Sequence, residues 1–109
     1  MHHITLLVEI DSHEGRTERF RAAVDELVES VKANEPGALR YDFYSSDDGR
    51  RGWNVEVFAD SAAVAHHMEN VGPLLPKLLA TAEFPRIEVQ GDLSPEAFTW
   101  DPSSRRSTS

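Results

Sequence analysis

The chain contains no cysteine, which excludes disulfides, thiolate metal ligands and cysteine nucleophiles together. Positive charge is scarce as well. Eleven Lys and Arg stand against nineteen Asp and Glu, a formal net charge of −8. Such a surface has no general attraction for phosphate backbones or anionic lipids, so neither nucleic acid nor membrane is an expected partner. Long apolar runs are also missing. "LLV" within "ITLLVEI" is far shorter than a membrane span or a signal-peptide core, and cytoplasmic residence is the resulting expectation. No glycine-rich phosphate loop and no serine elbow occur, which leaves nucleotide-dependent and serine-hydrolase chemistry unsupported.

What is present fits one modest domain. The 109 residues are 39% hydrophobic and 28% charged, the balance of an ordinary soluble core and surface. "HITLLVEID" reads as a first strand, rich in aliphatic and β-branched residues. In residues 14–37, Phe20, Val24, Leu27, Val28 and Val31 recur at helical spacing, with Arg21, Asp25, Glu26 and Glu29 opposite; this predicts an amphipathic helix stopped by Pro36-Gly37. "ALRYDFYSS" and "WNVEVFAD" alternate like strands around a "DDGRRG" hairpin. A second helix is expected from a cap at Asp60 or Ser61 to Gly72-Pro73. A short helix in "PLLPKLLATA" and a fourth strand in "FPRIEVQGD" complete the pattern. The domain therefore spans 1–93, and the polar, Ser- and Pro-containing residues 94–109 are expected to form a tail, from which Phe98 and Trp100 can still dock.

Strand–helix–strand occurs twice. That order predicts an α+β, ferredoxin-like split βαβ fold: a four-stranded antiparallel sheet with both helices on one face. Period-two patterning puts Leu6, Val8, Ile10, Tyr41, Phe43, Val55, Val57, Ile87 and Val89 on one face. Leu7, Tyr44 and Phe58 fall on the other. A sheet apolar on both faces predicts a homodimer with sheets packed together.

"EPGALRYDFY" and "WNVEVFADSAAVAHH" carry a resemblance. They look like the Glu-Pro-Gly…Tyr and Glu-x-Trp-x-Asp…Ala…His runs of the antibiotic biosynthesis monooxygenase-like family, matched here by Glu35, Pro36, Gly37, Tyr41, Glu56, Asp60, Ala63 and His67. The resemblance covers roughly residues 4–91 and implies a dimeric α+β barrel. It identifies the fold better than the reaction. In the family's cofactor-free oxygenases of aromatic polyketides, an Asn lies four residues before the Trp; Asn54 matches the Asn, and Phe58 replaces the Trp. A family Tyr would fall at Val64. An Asn expected on the first strand in the haem-degrading branch has no counterpart.

The adjacent histidines divide by helix geometry, since neighbours point about 100° apart. His66 shares a face with Glu69 and Asn70. That pair lacks a third ligand unless distant His2, His3 or His13 contributes, so no metal is expected. His67 falls at the family's helix histidine, where an imidazole can act as a general base. Asn54, a poor strand former, either holds an enolate or phenolate oxygen or satisfies a nearby backbone group. Patterning turns Trp53, Val55 and Val57 towards the helices, whereas the resemblance turns Asn54 and Phe58 there; the resemblance is followed.

The sequence thus nominates His67 and Asn54 as catalytic. Phe58, Tyr41, Tyr44, Trp53, Glu56 and His66 are nominated as pocket residues. The resemblance implies a cofactor-independent monooxygenase acting on a small aromatic or polyketide-like molecule, with no cofactor. A cyclase or isomerase using the same base, and a non-catalytic small-molecule-binding dimer, are the alternatives.

Overall fold

The structure, a computed structural model, describes residues 3–91. The expected tail, with Phe98 and Trp100, lies outside the described residues. The elements are β1 (Ile4–Ser12), α1 (Thr17–Asn34), β2 (Ala38–Ser45), β3 (Arg51–Phe58), α2 (Ser61–Val71), a 3-10 turn (Gly72–Leu74), α3 (Leu75–Leu79) and β4 (Ala82–Gln90). The strands form one antiparallel sheet in the order β2-β3-β1-β4. This is the ferredoxin-like arrangement that the order of elements predicts.

Each helix buries the stripe its sequence dictates. Phe20, Ala23, Val24, Leu27 and Val31 of α1 meet Ile4, Leu6, Val8 and Ile10 of β1 in one core. Val64 and Val71 bring α2 into the same core. Asp60 caps α2 by accepting a hydrogen bond from the Ala63 amide at 2.9 Å, which satisfies one of the free amides of the first turn. Pro73 and Pro76 each stand in the first turn of a helix, where a missing N–H costs nothing.

On β3 the orientation taken from the resemblance holds, and the one that simple alternation gives does not. Gly52, Asn54, Glu56 and Phe58 face the helices and are buried, while Trp53, Val55 and Val57 lie on the outer face. Phe58 pairs with Ile4, and Glu56 with Leu6, both on the core side of β1. Alternation alone points the strand the other way because its polar residues are the buried ones. Ile87 and Val89 on edge strand β4 share the face of Val8 and Leu6, as expected, but are exposed.

The turn after α1 is set by two residues. A residue before proline is disfavoured in the helical conformation, and Glu35, preceding Pro36, leaves the helix at φ −125°, ψ 82°. Gly37 then passes against α2. A Cβ placed on it would meet the Ala63 Cβ at 2.7 Å, and the Gly37 carbonyl accepts the Ala59 amide at 2.9 Å. Replacing Gly37 by Ala is expected to cost about 1–3 kcal/mol through overpacking. Urea unfolding should measure this loss and recover part of it in the Gly37→Ala, Ala63→Gly double variant; an unaffected single variant refutes the contact.

Candidate active site

Three elements deliver ionisable side chains to one point beneath the sheet. Glu35 comes from the C-terminal end of α1, His67 from the middle of α2 and Glu56 from β3. All three are buried, at 5%, 4% and 6% exposure respectively. Their burial together is permitted because the imidazole sits between the carboxylates. His67 Nδ1 lies 2.9 Å from Glu35 Oε1 and 3.0 Å from Oε2. On the other edge of the ring, His67 Nε2 lies 3.6 Å from Glu56 Oε1, beyond hydrogen-bond reach.

Glu35 is held from a second side. Asn70 Nδ2 donates to its Oε2 at 2.7 Å, and Ser30 donates to the Asn70 carbonyl oxygen at 3.1 Å. The carboxylate is thereby fixed between α1 and α2, and it orients the histidine ring in turn. Glu56 is less well served: its Oε1 is buried without a hydrogen-bond partner. Burial pushes the Glu56 carboxyl up to about 7, with Glu35 adding to the rise and His67 opposing it. A carboxyl there exchanges its proton near neutrality.

Aromatic rings complete the enclosure. Tyr41 and Phe58 pack on the imidazole with ring centroids 5.3 Å and 4.9 Å away. Burial, reinforced by the Glu56 and Glu35 charges, raises the Tyr41 hydroxyl well above the ordinary phenol range, so it keeps its proton. Tyr41 also meets Phe43 edge-on at 5.7 Å. Phe43 lines a groove of about 250 Å³ between α1 and the β2–β3 hairpin, floored by Phe20 and Val24 and flanked by Arg21 and Gly52. An unbroken series of rings, Phe43–Tyr41–His67, thus leads from the groove to the buried imidazole.

A family model described as antibiotic biosynthesis monooxygenase matches residues 3–72. The chain belongs to this family. Among solved structures it is similar to MupZ from Pseudomonas fluorescens, with 26% identity over 82% of this chain and 71% of that one, TM-score 0.74. A protein from Shewanella oneidensis, SO0527, is 28% identical over 81% of this chain and 86% of its own, TM-score 0.66. SnoaB of Streptomyces nogalater, a cofactor-independent oxygenase, shares the fold at 18% identity, TM-score 0.71, covering 86% of this chain and 96% of its own. No curated protein matches the chain.

Asn54 and Phe58, the positions singled out by the sequence resemblance, both face the helices. Asn54 Nδ2 donates to the Asp42 carbonyl at 3.0 Å, which commits one of its two amide hydrogens to holding β2 against β3. The structure brings His67, Glu56, Phe58 and Tyr41 together. It does not bring Trp53, Tyr44 or His66 to them. Trp53 and Tyr44 point from the opposite face of the sheet at 40% and 50% exposure, because they alternate with the residues that face inward. His66 is exposed on α2 beside Glu69, one residue and about 100° from the buried ring. Asn70, expected on that outer face, instead turns in to Glu35.

Glu35 and Asn70 are the members that sequence reading did not nominate. A signal existed for Glu35: Phe20, Val24, Leu27 and Val31 of the apolar stripe continue at helical spacing to position 35, so a carboxylate there lands on the buried side. Among the described residues, no group of three or more His, Asp or Glu side chains is arranged to hold a metal ion. No described helix is long and apolar enough to cross a membrane.

The two histidines should separate on substitution. His66→Ala is expected to change stability by no more than about 0.5 kcal/mol, as for other surface sites. His67→Ala should cost about 3–5 kcal/mol, since two buried carboxylates lose the group between them. Chemical unfolding of both variants measures the difference, and equal mild effects would contradict the buried network.

Proposed function

We propose that this protein is a cofactor-independent monooxygenase acting on a small aromatic or polyketide-like substrate with an acidic O–H or C–H group. The observation that carries the reading is the buried Glu35–His67 pair. A carboxylate that accepts the Nδ1 proton fixes the tautomer, leaving Nε2 as the basic nitrogen and stabilising the imidazolium that forms. The groove that Phe43 lines, joined to the imidazole through Tyr41, is the proposed side of substrate entry. His67 then removes the acidic proton, and the remaining amide hydrogen of Asn54 steadies the resulting oxyanion. The substrate anion is itself the reductant of dioxygen: one oxygen atom enters the product and the other leaves as water, two substrate hydrogens being consumed.

A second reading, proton transfer without oxygen in a cyclisation or isomerisation, is supported by Phe58 and Val64. Both replace residues that the family's aromatic-polyketide oxygenases use. Oxygen uptake with a panel of hydroquinones and cyclic 1,3-dicarbonyls distinguishes the two. The monooxygenase reading expects uptake that falls about a hundredfold or more in His67→Ala. Product formed equally well under argon would establish the isomerase reading instead.

The outer sheet face supports a homodimer as the working unit. Leu7, Trp53 and Val55, with Glu9, Arg86 and Glu88 beside them, line a shallow depression of about 210 Å³ on that face, and Tyr44 stands half-exposed on the same face. Sheet-to-sheet pairing of two copies would cover all of them. Sedimentation is expected to give twice the 12.2 kDa monomer mass and to return the monomer on Val55→Glu substitution. A stable wild-type monomer at micromolar concentration refutes the pairing.

A further inference from the structure

The reading above uses His67 and leaves a second buried acid unexplained. We propose that Glu56 and His67 hold one proton between them, and that Glu56 Oε1 exchanges a proton with the enol or phenol oxygen of the bound substrate. The inference rests on the acid–base reading of the site and extends it from one group to two, with Glu35 and Asn70 as positioning residues.

Three observations converge. Glu56 Oε1 is buried with no hydrogen-bond partner, although a buried carboxylate oxygen ordinarily has one. It lies 3.6 Å from His67 Nε2, a separation that a small shift of either side chain closes. Glu35 already occupies the opposite ring nitrogen through Oε1 at 2.9 Å, so Glu56 faces the only edge of the imidazole still open to exchange.

The charges surrounding Glu56 decide how many protons the cluster holds. Opposite it on β2 stands Tyr41, and on β1 the uncharged Leu6. His67 approaches from α2, with Glu35 behind it at the end of α1. Two ionised carboxylates around a neutral imidazole would put two like charges in one dry site. One added proton leaves a single net charge whether it rests on His67 Nε2 or on Glu56 Oε1. The two arrangements differ only by transfer of that proton between the two atoms.

The exchange balances without electron transfer. With the shared proton on His67, the Glu56 carboxylate accepts the hydrogen of a substrate O–H and leaves an enolate or phenolate beside the imidazolium. With the proton on Glu56, the carboxyl group returns one to that oxygen. Tyr41 keeps its hydrogen throughout, since its hydroxyl is raised well above the ordinary phenol range by burial and by these same carboxylates. A ligand hydroxyl would thereby supply the hydrogen bond that Oε1 lacks.

The test is carboxyl ¹³C and imidazole ¹⁵N NMR on the full chain, with no substrate present. The Glu56 signal, assigned by its disappearance in Glu56→Gln, is expected to titrate near the value of about 7 to which burial raises it. The His67 nitrogens should shift through the same transition. In Glu56→Gln they lose it, and in Glu35→Gln both signals move together to a new midpoint. A Glu56 carboxyl that titrates in the ordinary range, with His67 not following, overturns the shared proton. Linkage gives a second measurement that needs no assignment. A carboxyl raised from 4.5 to about 7 on folding contributes stability below the lower value that is lost as pH rises through the higher one. Wild type should lose stability across that interval relative to Glu56→Gln, and parallel pH profiles count against the proposal. Anaerobic naphthohydroquinone should shift the Glu56 signal while its dimethyl ether, of like shape without an O–H, should not. Equal responses to both overturn the substrate contact. Failure of oxygen uptake with the NMR results intact would sink the monooxygenase reading alone.

Discussion

Burying two carboxylates is tolerable only if something between them carries compensating charge or hydrogen bonds, and the placement of three elements follows from that need. Glu35 and Glu56 flank His67 at 2.9 Å and 3.6 Å. Removing His67 strands both carboxylates in a medium that solvates them poorly. The end of α1, the centre of α2 and the core face of β3 are therefore tied by polar contacts as well as by the apolar packing of Leu27, Val31, Val64 and Phe58.

Backbone chemistry brings the network into register. Pro36 turns Glu35 out of helical conformation, and Gly37 admits the close approach of α2, four residues before His67 on the same helix, through Ala63. The Glu-Pro-Gly run thus has a mechanical role: it ends one helix, aims a carboxylate inward and seats the next helix against the turn. Asn70 and Ser30 then lock that carboxylate across the α1–α2 seam.

Membership of the antibiotic biosynthesis monooxygenase family accounts for the fold but leaves the reaction to the site. Here the inward face of β3 reads Gly52, Asn54, Glu56, Phe58, three of them poor core formers by composition. A strand that buries such residues forgoes hydrophobic stabilisation on its core side, exposes Trp53 and leaves Val55 and Val57 half-buried on the other. That inversion suits a site whose polar groups must sit in a dry space next to aromatic rings.

Much of the architecture was legible in the chain because local periodicity and punctuation are local physics. The stripe from Phe20 to Val31, the Asp60 cap, the "DDGRRG" hairpin and the strand–helix–strand order all found their counterparts in the structure. His67 and Phe58 reached the site through resemblance, not through pattern. Alternation could not orient β3, since it assumes that apolar residues face inward; the register of Glu56 with Leu6 and Tyr41 puts the polar set inside, as the resemblance implied for Asn54. Nor could it join Glu35 to His67, 32 positions apart in sequence, because the bond depends on how two helices cross. By itself the sequence determined which segments form helices and strands and which residues can ionise. The tertiary structure alone decided which of those groups lose their water together, since desolvation depends on neighbours that come from elsewhere in the chain.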